Sequence, residues 1–153
     1  MTEQTGQDLD SPTDRDILTT RLLPAPRARV FAAWTDPEQL ARWWGPAGFT
    51  NSFQEFDLRP GGQWRFTMHA PDGAGFPNHS VFRDIKPQER IVFDHLSGPL
   101  FQVTATFADQ DGGTLLSFRM RFGSVEECEA IKRYALEGNE QVFDRLVALL
   151  AEG

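Results

Sequence analysis

Between Gln63 and Phe122, apolar side chains return at every second position. Trp64, Phe66 and Met68 share one parity against Arg65, Thr67 and His69, and the same alternation groups Ile91, Phe93 and His95. It continues through Phe101, Val103, Ala105 and Phe107, and then through Leu116, Phe118, Met120 and Phe122. A period of two is that of a β-strand with one face turned inward. Turn-forming clusters break the run at Arg59-Pro60-Gly61-Gly62, across 70–75, at Lys86-Pro87-Gln88, at Ser97-Gly98-Pro99 and at 109–113. The segment therefore predicts an antiparallel meander with strands at about 49–58, 63–70, 78–86, 89–97, 100–108 and 113–122.

Upstream, Ile17 to Leu22 predicts a first strand, stopped by Pro24-Ala25-Pro26. The spacing then becomes helical. Val30, Phe31 and Trp34 define one face of a helix over Arg27–Thr35, and a second helix opens at Asp36-Pro37-Glu38 and carries Leu40, Trp43 and Trp44. From Ser124 to Ala151 the period is again helical, through Ile131, Ala135, Gly138, Val142, Leu146 and Leu149, with Ser124 and Glu127 as a capping box. The order is strand, two short helices, six strands, long helix. This is an α+β domain in which a seven-stranded antiparallel sheet curls around the C-terminal helix. A helix in a concave sheet leaves space at its ends unless large side chains fill it, so a cavity is expected.

Composition narrows the function. Net charge is −7 and no Lys/Arg block occurs, which argues against a nucleic-acid partner. No apolar run approaches the ~20 residues of a membrane-spanning helix. Cys128 is the single cysteine, so an internal disulfide and thiolate-rich zinc sites are excluded, and it stands among Glu126, Glu127 and Glu129, which would raise its pKa. Residues 1–15 are polar and acidic and predict a disordered tail, with the domain running over 16–153 in the cytoplasm. Neither a nucleophile elbow, an HExxH pair nor a Gly-rich dinucleotide loop occurs, and no cofactor is implied.

Four stretches stand out in order: Val30-Phe31-Ala32-Ala33-Trp34-Thr35-Asp36-Pro37, then Trp43-Trp44-Gly45-Pro46, then Phe56-Asp57-Leu58-Arg59-Pro60-Gly61-Gly62, and Gly138 in the last helix. Together they resemble the family named after the activator of a heat-shock-protein ATPase, a branch of the START-like or SRPBCC superfamily, over about 17–150. The resemblance implies a helix-grip fold with a ligand cavity between sheet and helix. Superfamily members include lipid and hormone carriers, aromatase/cyclases and self-resistance proteins, so fold does not settle activity.

The chain holds 13 Phe and 4 Trp, a load of rigid rings suited either to a packed core or to a pocket for an aromatic or acyl ligand. Candidate ligand contacts are Trp64, Phe66, Met68 and Phe93 on the first inward strands, and Phe101, Val103, Phe118 and Met120 on the later ones. Of the indoles Trp34, Trp43 and Trp44, one is expected under the sheet edge and another at the cavity mouth. Gly138 lies inside a helix, where Gly costs about 1 kcal/mol against Ala. Either helix and sheet touch there or the missing side chain leaves room for a ligand. Tyr134, one turn earlier, is expected at the cavity edge. Alternation turns His95 inward, where desolvation would lower its pKa and where it meets a backbone carbonyl or a ligand. His69 and His79 are expected to flank a loop at 70–78 and meet water, and Glu137 and Asn139, beside Gly138, to lie on a solvated helix face or else to supply a polar anchor. The first functional expectation is binding of a small apolar ligand. The alternatives are a cyclase- or hydrolase-like enzyme using His95, and a chaperone-linked or homodimeric interaction module.

Overall fold

The computed structural model describes residues 13–152. β1 (Asp16–Leu23) leads to α1 (Arg27–Thr35) and α2 (Pro37–Trp43), then β2 (Thr50–Phe56), β3 (Gln63–His69), β4 (Gly75–Lys86), β5 (Arg90–His95), β6 (Phe101–Gln110), β7 (Gly113–Phe122) and the 26-residue α3 (Val125–Leu150). The sheet is antiparallel with order β1-β7-β6-β5-β4-β3-β2, so the first strand pairs with the last and each later strand pairs with its sequence neighbour. The helix-grip architecture expected from the pattern is the one adopted.

Local chemistry sets the boundaries. Asp36 accepts the Glu38 amide at 3.1 Å and the Gln39 side-chain amide at 3.0 Å, fixing the start of α2. Ser124 Oγ likewise accepts the Glu127 amide at 3.1 Å at the start of α3. Gly62 permits the hairpin before β3, because a Cβ there would stand 1.9 Å from the Asp57 carbonyl oxygen.

Three details depart from the expected layout. β4 begins at Gly75 rather than 78, because the Gly73 and Ala70 amides close a tight turn onto Ala70 and Ala74 carbonyls. Pro77 is tolerated in that extension because β5 stops opposite Ser80 and leaves β3 as the sole neighbour. His79 sits half-buried with Nε2 against Gln63 Oε1 instead of simply meeting water, while His69 Nε2 meets Ser52 Oγ at 2.8 Å. Residues just ahead of 16 are also tied to the sheet: the Thr13 amide donates to Asp16 Oδ2 at 2.8 Å, and the Phe122 amide to the Arg15 carbonyl at 3.0 Å. The rest of the expected tail, residues 1–12, lies outside the described residues.

One end of the core is solidly packed. Val30, Trp34, Leu40 and Trp43 from the short helices are buried beside Phe143, Leu146 and Leu149 of α3. Trp34 contacts Trp43, Trp44 and Phe107 edge-on at 4.9 to 5.7 Å. Such pairs contribute about 0.5–1.5 kcal/mol each beyond area burial.

Candidate functional site

Strand register builds a floor. Trp64, Ser80, His95, Phe101 and Phe122 stand directly opposite one another across β3 to β7, forming one cross-strand row on the concave face. Two residues along, Phe82, Phe93, Val103, Met120 and Ile17 form the next row. Above these rows α3 contributes Ala135, Gly138, Asn139 and Val142, and the loop after α2 contributes Trp44, Gly45 and Pro46. Between floor and roof lies a cavity of about 220 Å³, overwhelmingly apolar in its lining.

Gly138 is not forced to be glycine by close packing. A Cβ built there meets nothing within 4 Å, so the helix does not press on the sheet at this point; it borders open space. The opposite holds at Gly45, where φ is +97° and a Cβ would stand 2.8 Å from Met68 Cε. A side chain at 45 would be strained by its backbone and would collide with a cavity residue.

The loop 44–46 is fastened by a residue that local patterning does not reveal. Arg145 Nη1 donates to the carbonyls of Trp44, Gly45 and Pro46 at 3.3, 2.8 and 3.0 Å, and Nη2 to that of Arg42 at 2.8 Å. Burial pushes its guanidinium below the usual value, yet a guanidinium stays charged in proteins. Asn51 Nδ2 adds bonds to the Ala41 and Trp44 carbonyls at 3.0 and 2.7 Å. Trp44 ends α2 with extended backbone, φ −72° and ψ 134°, and its indole meets Trp64 at 5.2 Å and Phe93 at 6.2 Å over the cavity.

The sequence-predicted contacts on the strands, from Trp64 to Met120, line this cavity, as do Trp44 and Gly138. Three do not. Trp34 and Trp43 lie one layer behind Trp44, with Trp43 fully buried and its Nε1 donating to the Ala33 carbonyl at 2.9 Å. Tyr134 is 85 % exposed. At 100° per residue it trails Gly138 by 40°, and Gly138 already stands on the flank of the inward stripe through Ala135, Val142 and Leu146.

His95 lines the cavity but is occupied. Nδ1 faces the Pro99 carbonyl at 2.8 Å and Nε2 faces Asn78 Oδ1 at 2.9 Å, while the ring stacks on Phe101 at 4.5 Å. Asn78 Nδ2 donates to the Phe76 carbonyl, which turns its oxygen toward the imidazole. A neutral ring has one N–H for two acceptors, so the second acceptor favours the charged form. Burial disfavours it and prevails, leaving the pKa below 6.5 despite the Pro99 carbonyl. Among the described residues no carboxylate bonds to His95.

Two further polar residues, Asn139 and Ser80, line the cavity. Asn139 is half-buried at the cavity, not solvated, and donates to Thr19 Oγ1 at 3.1 Å. Ser80 is 1 % exposed and its Oγ has no hydrogen-bond partner among the described residues; Trp64, 2 % exposed, has none there for Nε1. A buried polar atom without a partner costs about 1–3 kcal/mol. Cys128 is buried and its thiol is raised by that burial first, with the Glu129 charge adding and Lys132 opposing. Among the described residues no group of three or more His, Cys, Asp or Glu is placed to hold a metal, and no helix is long and apolar enough to cross a membrane.

The profile of the family described as Activator of Hsp90 ATPase homolog 1-like protein matches residues 24–151. Solved structures share the whole architecture. A Nitrosomonas europaea protein aligns over 93% of this chain and 97% of its own with a TM-score of 0.85 at 23% identity. A Chromobacterium violaceum protein aligns over 90% and 97% with a TM-score of 0.79 at 29% identity. An AHSA1-like protein from Aeromonas hydrophila aligns over 90% and 92% with a TM-score of 0.75 at 23% identity. Among curated proteins, none matches the sequence.

Proposed function

Because the chain belongs to the Activator of Hsp90 ATPase homolog 1-like family, whose frame here encloses an apolar cavity, we propose that it binds a small ring-bearing apolar molecule between the sheet and α3. The observation that carries this reading is the open space facing Gly138, inside a helix that would be steadier with Ala. The volume of about 220 Å³ sets the scale. An apolar cavity of about 150 Å³ holds benzene, and drug-sized pockets start near ~300 Å³, so one substituted ring fits. His95 supports binding over acid/base chemistry, since both ring nitrogens already face protein oxygens.

Burial alone gives modest affinity. Removing roughly 300 Å² of ligand surface from water at ~25 cal/mol/Å² yields about 7 kcal/mol, and association costs about 4 kcal/mol or more. The remainder corresponds to a millimolar Kd. Titration of the isotope-labelled protein with ethylbenzene, followed by NMR, tests the reading. Saturable shifts centred on Val103, Phe118 and Gly138 are expected, and Gly138→Leu, which extends a side chain into the cavity, should weaken binding by about tenfold or more while the fold persists by circular dichroism. Absence of saturable binding, or equal binding to Gly138→Leu, would remove the reading.

A further inference from the structure

Two cavity-lining residues hold buried polar atoms with no partner among the described residues: Nε1 of Trp64 and Oγ of Ser80. They are not scattered. Trp64 and Ser80 are register partners on β3 and β4, so their side chains rise from the same face roughly 5 Å apart at Cβ. On the far side of Ser80, His95 is committed to Pro99 and Asn78, and at the helix Asn139 Nδ2 is committed to Thr19. On the floor the polar atoms left without a partner are therefore concentrated at one place, just beneath the cavity surface, while at the roof Asn139 Oδ1 remains a free acceptor. Trp34 gives the contrast: its Nε1 is also buried without a partner, but it lies behind Trp44 and does not line the cavity.

We propose that the cavity selects a ring compound carrying one neutral oxygen, a phenol-type hydroxyl or an aryl carbonyl, which accepts the Trp64 indole N–H and bonds the Ser80 hydroxyl. The inference rests on the cavity-binding reading above. The chemistry is constrained by the groups present. An indole N–H only donates, and a serine hydroxyl donates or accepts, so the pair suits an oxygen that accepts from both or accepts from one and donates to the other. A carboxylate is a poor guest because among the cavity-lining residues no Lys or Arg is present to balance its charge. A plain hydrocarbon would fill the space and leave both atoms unpartnered. Discrimination of this kind is strong because the site's own buried polar groups go unmatched by the wrong guest.

Three molecules of nearly equal size test the proposal: ethylbenzene, 4-ethylphenol and acetophenone, each titrated into the full chain by NMR or calorimetry. Either oxygenated compound, or both, should bind about tenfold or more tightly than ethylbenzene. That preference should shrink to within about threefold in Ser80→Ala. Ethylbenzene binding as tightly as both oxygenated compounds, or a preference that survives Ser80→Ala, would overturn the oxygen anchor while leaving the cavity reading intact. Failure of all three to bind would overturn both.

Discussion

Along α3, Phe143, Leu146, Leu149 and Leu150 are buried in the core beside α1 and α2, whereas Ala135, Gly138, Asn139 and Val142, one to three turns earlier, are only half-buried above the cavity. The same helix lies over the same sheet at both places. What differs is the filling: the C-terminal turns meet the indoles of the short helices, and the middle turns meet space. Stability is concentrated at one end, which lets the other end keep the space that the proposed binding uses. An interior close-packed throughout would gain contacts and lose that space.

The largest expected effect probes that division directly. Leu146→Ala, at the packed end, should destabilise by about 3–4 kcal/mol through lost transfer and a residual cavity. Val142→Ala, at the cavity, should lose only about 1 kcal/mol, because the methyls removed are half-buried. Denaturant unfolding of the two variants measures both, and equal losses would break the comparison.

The cavity end of the sheet has a polar fastening of its own. Arg121 donates to both Asp16 oxygens at 2.8 and 2.9 Å, joining β1 to β7. Burial alone would raise the Asp16 carboxyl, but the Arg121 and Thr13 hydrogen bonds, with the Arg121 and Arg119 charges, outweigh it and hold the group below its ordinary 3.8. A carboxylate depressed on folding contributes stability that is fully present above that ordinary value and disappears as pH falls through the folded pKa. Thermal melts should therefore lose stability below about pH 4, and Asp16→Asn should cost about 2 kcal/mol at neutral pH and flatten that acid-side loss. An unchanged acid profile in Asp16→Asn would place the sensitivity elsewhere.

The smallest effect has the opposite sign. Gly138→Ala should stabilise by about 0.5–1 kcal/mol, since the new methyl meets nothing and the helix gains propensity. Ethylbenzene should nevertheless bind the more stable variant more weakly. A loss of stability would mean that the helix passes closer to the sheet than the open space implies.

Most of this architecture is legible in the chain because a sheet with one buried face imposes strict alternation, and a slip of one residue would turn Trp64, Phe93 and Phe118 to solvent. The site is less legible for reasons that are specific. Ser80 shares parity with Phe82 and so faces inward, but a small polar residue near the start of a strand carries no hydrophobic signal. Which of three indoles borders the cavity depends on Trp44 leaving the helix, and helical spacing alone groups it with Trp43. Arg145 acts on carbonyls about a hundred residues earlier, a partnership that no local pattern encodes. Tyr134 was misplaced because a spacing of four accumulates 40° of rotation, which matters only for residues already at the flank of a stripe.

The pairing of first strand with last has a consequence for synthesis. Asp16 waits for Arg121, 105 residues later in the chain, and at ribosomal rates of about 5–20 residues per second β1 spends roughly 5–20 s without its partner. The hairpins from β2 to β7 join immediate neighbours and can close as they emerge. β1 cannot, so Ile17 and Leu23, both buried in the finished sheet, stay uncovered on the nascent chain until β7 arrives to receive them.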